Sequence, residues 1–144
     1  MILHQNIDLF KDYINYTAEK MSINPALVEK DYWISWALRA IFKSEIGKDV
    51  VFKGGTSLSK CYSMIDRFSE DVDLVVLRHE GETDSKLKAK LKAIGKAVES
   101  NLPEIELENI TRKMGMNRKT AHTFPRQFLG TNNQIRDCII LEAT

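Results

Sequence analysis

Residues 50–77 read VVFKGGTSLSKCYSMIDRFSEDVDLVVL, and few folds accommodate that order. An apolar run at 50–52 meets two glycines, Gly54 and Gly55, then the hydroxyl residues Thr56 and Ser57, and then a segment with helical spacing that ends near Ile65. The pattern predicts strand, tight turn, helix, with Leu58, Cys61, Tyr62 and Ile65 on one helix face and Thr56, Ser59, Lys60 and Ser63 on another. A second run, residues 69–77, places Asp71 and Asp73 two apart with apolar residues thickening behind them. Side chains two apart in a strand share a face, so both carboxylates point the same way. Held side by side they repel unless something positive sits between them, and a divalent cation meets that need.

A lone glycine pair is usually a plain turn, and two acids at this spacing also occur on solvated strand ends. Coupled, they suggest a phosphate site. Gly54 and Gly55 let backbone approach a triphosphate without Cβ interference, and the N-terminus of the following helix presents unpaired N–H groups. Thr56 or Ser57 can add a hydroxyl. Lys60, one helical turn beyond Thr56, shares its face and brings an ammonium toward the phosphates. Ser69 shares the carboxylate face, to contact phosphate or hold an aspartate in place. Lys53 and Arg67 are weaker candidates.

Upstream, Ile7, Phe10, Ile14 and Met21 recur at helical spacing, and Asn24 before Pro25 reads as the cap of a second helix running to about Phe42. Trp33 and Trp36 thicken that helix beyond one stripe, so it is expected to be buried on more than one side. Glu29, Lys30 and Asp31 interrupt it, and three adjacent charges read most simply as a solvated face with an ion pair; a structural or nucleotide-facing role is the alternative that a family resemblance of these motifs implies. Residues 82–100 predict a further helix with Leu87, Leu91, Ile94 and Val98 inward and Lys86, Lys88, Lys90, Lys92 and Lys96 largely outward, a solvated face or an RNA contact. After Pro103, residues 105–114, 120–129 and 134–143 read as strands, an antiparallel extension of the sheet. Between Thr111 and Arg136 lie Arg112, Lys113, Arg118, Lys119, Arg126 and Arg136 with no acid, a place for a polyanion or a solvated loop. His4, His79 and His122 form no base or ligand pattern.

At 144 residues the chain suits one domain, with a helical segment over 5–44 and a core over 49–144. Hydrophobic content of 43% and charged content of 28% exclude a disordered chain, and the net charge of +1 selects no partner. Cys61 and Cys138 lack metal-ligand spacing and are expected as buried thiols. With neither a signal-peptide pattern nor an apolar run that spans a bilayer, the expectation is a cytoplasmic protein without a membrane partner.

Gly54-Gly55-Thr56 followed by Asp71-Val72-Asp73 resembles the nucleotidyltransferase superfamily with the DNA polymerase beta-like core. Within it, Lys53-Gly-Gly-Thr-Ser-Leu-Ser-Lys60, Arg67-Phe-Ser-Glu-Asp-Val-Asp-Leu74 and the upstream Val28-Glu-Lys-Asp-Tyr-Trp33 are similar, in that set, to AbiEii-type (AbiEii/AbiGii) toxins of bacterial abortive-infection and toxin-antitoxin systems. The resemblance implies an α+β fold with a mixed or antiparallel sheet flanked by helices, the N-terminal helices preceding the first core strand. It implies transfer of a nucleoside monophosphate from an NTP to an acceptor, expected to be RNA, with Mg2+ or Mn2+ on Asp71 and Asp73, and a cognate antitoxin. A third carboxylate is usual on a neighbouring strand of such sites, and Glu142, after Ile139-Ile-Leu, is the candidate: near the end of a buried strand an unpaired carboxylate is costly, and metal is one partner that relieves it. The family carries a further helical C-terminal portion that this chain does not reach, so a catalytically incomplete nucleotide- or RNA-binding module is the alternative. Transfer onto a protein or small antibiotic would use the same core.

Overall fold

The computed structural model describes residues 2–55, 71–129 and 136–144. Helix α1 (Ile7–Met21) starts where the Asn6 side chain accepts the Leu9 N–H at 3.1 Å and stops at Ser22, whose φ of 56° is left-handed. Phe10, Ile14 and Ala18 bury against Val28 of the next helix. Ile7 and Met21, expected on the same stripe, are the first and last residues of α1 and stay about half exposed. Helix α2 (Pro25–Lys43) opens on Pro25, with Asn24 accepting the Ala26 N–H at 2.9 Å. Helix α3 (Asp84–Val98) is capped by Thr83.

Among the described residues six strands form one mixed sheet: β1 (Val50–Lys53), β2 (Asp71–Val76), β3 (Glu104–Ile105), β4 (Arg112–Met114), β5 (Asn117–Thr123) and β6 (Cys138–Ala143). The order is β1-β2-β6-β5-β3, with β4 also on β5. The expected α+β class is therefore observed, helices first. The C-terminal strands pair antiparallel with one another as expected, and the sheet is mixed because β6, antiparallel to β5, runs parallel to β2. Its own residues explain the position: a strand apolar on both faces belongs in the middle of a sheet, and every β6 residue except Glu142 is buried. The run expected at 105–114 divides into β3 and β4 around the turn at 107–111, where the Ile110 and Thr111 N–H groups bond the Leu107 carbonyl. Strand β5 ends before Pro125, which has no N–H to give a ladder.

One face of the sheet carries Val72, Leu74, Val76, Ile139, Leu141 and Ala143 against Trp33, Ile34, Ala37 and Ile41 of α2 and Leu87, Leu91, Ile94 and Val98 of α3. On the other face Ala121, Cys138 and Ile140 are covered by Ile105, Leu107 and Ile110, leaving the end that carries the aspartates uncovered by this cluster. Lys90, expected outward, is buried at 8% exposure because it falls between Leu87 and Leu91 on the apolar stripe itself. Its ammonium pairs with Asp49 at 3.0 Å and Glu82 at 2.7 Å and donates to the Leu77 carbonyl, while His79 Nε2 lies 2.6 Å from Asp49 Oδ1. That network ties α3 to the end of β2 and the start of β1. His122 is likewise structural, buried between the Thr120 hydroxyl and the Leu102 carbonyl.

Candidate functional site

Strand register builds the site. Lys53 of β1 lies opposite Asp73 of β2, Asp73 opposite Glu142 of β6, Glu142 opposite Lys119 of β5, and Lys119 opposite Arg112 of β4. Direct partners in adjacent strands share a face, so the row reads cation, carboxylate, carboxylate, cation, cation across five strands. Asp71, two residues before Asp73, joins the same face one step along, opposite Ile140. Two acids of one strand and a third from far along the chain are thus neighbours on one surface. This is the outcome of placing β6 beside β2.

Gly54 closes the row at the end of β1. Its φ is +81°, and a Cβ there would overlap Asp73 Oδ2, so only glycine allows the chain to turn against that carboxylate. Burial pushes the Asp73 pKa up, Glu142 and Asp71 add to the rise, and Lys53 and Lys119 oppose it. Arg136 Nη1 stands 3.3 Å from Asp71 Oδ1, and Lys119 Nζ 3.8 Å from Glu142 Oε2. Among the described residues the side chains do not close into a three-ligand ion cage, since Asp71 turns to Arg136 and Glu142 to Lys119. The donor set nevertheless suits a hard divalent cation: carboxylate oxygens on one face, with an aspartate whose ionised form is disfavoured by its surroundings. Gly55 is partly buried beside Gly54. Thr56, Ser57, Lys60 and Ser69, together with Arg67 and Cys61, lie outside the described residues.

Of the charges at 29–31, Glu29 and Lys30 do not sit on the solvated face expected of them, while Asp31 is partly exposed. Glu29 and Lys30 are 1% and 2% exposed. The Glu29 carboxylate accepts the Gln127 N–H at 2.7 Å and the Phe128 N–H at 3.1 Å, and Lys30 Nζ donates to the Arg136 carbonyl at 2.9 Å. Burial raises the Glu29 pKa, with both N–H groups and Arg126 opposing. Helix α2 therefore holds both flanks of the segment leading into β6, and Arg136 passes from that anchor to Asp71. The signal in the sequence was three adjacent charges between apolar Val28 and Trp33, where water has little access. Within the basic segment Lys113 pairs with Glu104 at 2.9 Å and Arg126 Nε donates to the Phe128 carbonyl at 2.7 Å. Cys138 is a buried thiol, its pKa pushed up by burial.

A family profile described as "Nucleotidyl transferase AbiEii toxin, Type IV TA system" matches residues 36–143. The span takes in every strand of the sheet and both ends of the carboxylate row. The chain belongs to the AbiEii family. No curated protein matches it. AbiEii membership places the chain in a family described as nucleotidyl transferase toxins of type IV toxin-antitoxin systems. Glu29 and Lys30 precede the matched AbiEii span. Among the described residues no helix is long and apolar enough to cross a membrane.

Proposed function

We propose that this AbiEii chain is a divalent-cation-dependent nucleotidyltransferase that moves a nucleoside monophosphate from an NTP to an RNA acceptor, acting in the cytoplasm as a toxin restrained by a cognate antitoxin. The observation that carries the reading is the row Lys53, Asp73, Glu142, Lys119 with Gly54 packed against Asp73. In this reading Asp71, Asp73 and Glu142 hold Mg2+ or Mn2+. When bound, such a cation neutralises charge on the attacking and phosphoryl oxygens.

The chain's own residues do the positioning. Gly54, with no Cβ, leaves room for a phosphate beside Asp73. Lys119 and Arg136 now face the carboxylates; with a cation there, their charges are available to the triphosphate. Gly55, Thr56, Ser57, Lys60 and Ser69 complete the phosphate cradle in this proposal. The acceptor hydroxyl gives its proton to solvent as its oxygen bonds the α-phosphorus, the bond to the bridging oxygen breaks, and pyrophosphate leaves with that electron pair. The test is incubation of the protein with Mg2+, total RNA and each of four labelled NTPs. Label is expected in RNA with one or more nucleotides, and Asp71→Ala or Asp73→Asn should lower it more than about 100-fold, beyond the loss typical of a residue that only supports a ligand. No label with any NTP, or equal labelling by wild type and Asp71→Ala, would refute the reading.

A further inference from the structure

On the helix side of the sheet, away from the carboxylates, α3 and the β4–β5 hairpin enclose two adjoining hollows of about 300 and 230 Å³ that share Lys92 and Arg118. Register fixes the sidedness. Lys113 pairs with Arg118 on the face opposite the Arg112 and Lys119 pair, and Arg118 lies across from Ala143 of the buried face.

The trough is cationic by construction. Lys88, Lys92 and Lys96 are exposed and four residues apart on α3, so they form one stripe with steps of about 6 Å along the axis. Gly95 lies in the wall, and a Cβ there would meet nothing within 4 Å, so the space stays open. Two acids are present: Glu104 is engaged by Lys113 at 2.9 Å, and Glu99 sits at one end. Arg118 Nε is buried and, among the described residues, has no hydrogen-bond partner. A buried guanidinium N–H without an acceptor is costly, and a phosphate oxygen is a strong acceptor of the right charge.

We propose that this trough binds the phosphodiester backbone of a single-stranded RNA segment, which then passes around the β4–β5 edge to the carboxylate face. The regular cation step suits a repeating monoanion. The lining offers no aromatic anchor of the kind that centres a protein interface, Leu91 being its apolar residue. The hairpin itself supplies the continuation, because Arg112 and Lys119 stand on its other face and Lys119 reaches Glu142. The choice of RNA as occupant rests on the transferase reading; the trough's affinity for a polyanion does not.

The experiment is fluorescence anisotropy with a labelled single-stranded RNA, without NTP or metal, across a salt series. Wild type should bind, and K88Q/K92Q/K96Q should weaken binding at least tenfold and reduce the magnitude of the log–log salt slope by about 2, close to 0.7 for each phosphate that is no longer neutralised. Arg118→Gln should weaken binding several-fold. Calorimetry with Mg2+ and NTP on the same proteins keeps the two readings apart: the lysine variant should bind nucleotide as wild type does, and Asp73→Asn should lose nucleotide yet keep RNA affinity. Wild type that binds nucleotide but no RNA, or RNA affinity and salt slope unchanged in the lysine variant, would overturn the trough and leave the transferase standing. Lysine-dependent RNA binding with no nucleotide binding would uphold the trough and sink the transferase. Competition by poly-glutamate as effective as by RNA would overturn the assignment to nucleic acid.

Discussion

Gly54 and Asp73 meet so closely that the backbone of one constrains the side chain of the other. Gly54→Ala places a Cβ both in a left-handed conformation and on top of Asp73 Oδ2. The first effect alone costs about 1–2 kcal/mol, and the second displaces a proposed metal ligand. A lower melting temperature together with weaker Mn2+ binding is expected; a variant with wild-type Mn2+ affinity would contradict this packing. Asp73 also sets a pH dependence. Its folded pKa is raised, first by burial and then by Glu142 and Asp71, so its contribution favours the fold below the ordinary aspartate pKa and is lost as pH rises through the raised value. Without divalent metal, Asp73→Asn should therefore melt above wild type at neutral pH, and the gap should close on acidification. Thermal scans over pH check both. These residues were legible in sequence because Gly-Gly and Asp-x-Asp impose local geometry. The contact between Gly54 and Asp73 was not, since it depends on β1 pairing with β2 in one register.

Charges inside apolar helices were the least legible feature at the level of elements. Glu29, Lys30 and Lys90 each read as solvent-facing by residue type, yet each is buried because a partner from a distant element reaches it: the 127–128 backbone, the Arg136 carbonyl, and the Asp49–Glu82 pair. Helical spacing alone placed Lys90 on the stripe of Leu87 and Leu91. Glu29→Ala would leave two backbone N–H groups without their acceptor, a loss of about 2–4 kcal/mol in denaturant unfolding; an unchanged midpoint would show that the anchor is dispensable. The Lys90 network titrates in the opposite sense to Asp73. Hydrogen bonds from His79 and Lys90 hold Asp49 low, and those from Lys90 and the His79 N–H hold Glu82 low, so their stabilisation is present above the ordinary carboxylate range and is lost as pH falls through their depressed values. Lys90→Met should accordingly lower the melting temperature at neutral pH and flatten the acid limb of the stability profile. An acid limb as steep as that of wild type would contradict the network.

At the scale of the whole molecule, helices α1, α2 and α3 and strands β1 and β2 followed from local pattern, whereas the order of the sheet did not. Strands at the C-terminal end looked like a simple antiparallel series because sequence neighbours usually pair. Instead β6 enters between β2 and β5, and only that insertion brings Glu142 beside Asp73 from 69 residues away (142 − 73). Its continuous apolar character was the available signal, since such a strand is stable only when covered on both faces. The central claim is that this convergence makes an ion site beside the glycine turn. The direct measurement is anomalous diffraction from crystals soaked with Mn2+ and a non-hydrolysable NTP. A manganese peak bounded by Asp71, Asp73 and Glu142, with the phosphates against Gly54 and Gly55, is the predicted result; ordered nucleotide elsewhere, or manganese that leaves Asp71 on Arg136 and Glu142 on Lys119, would contradict it.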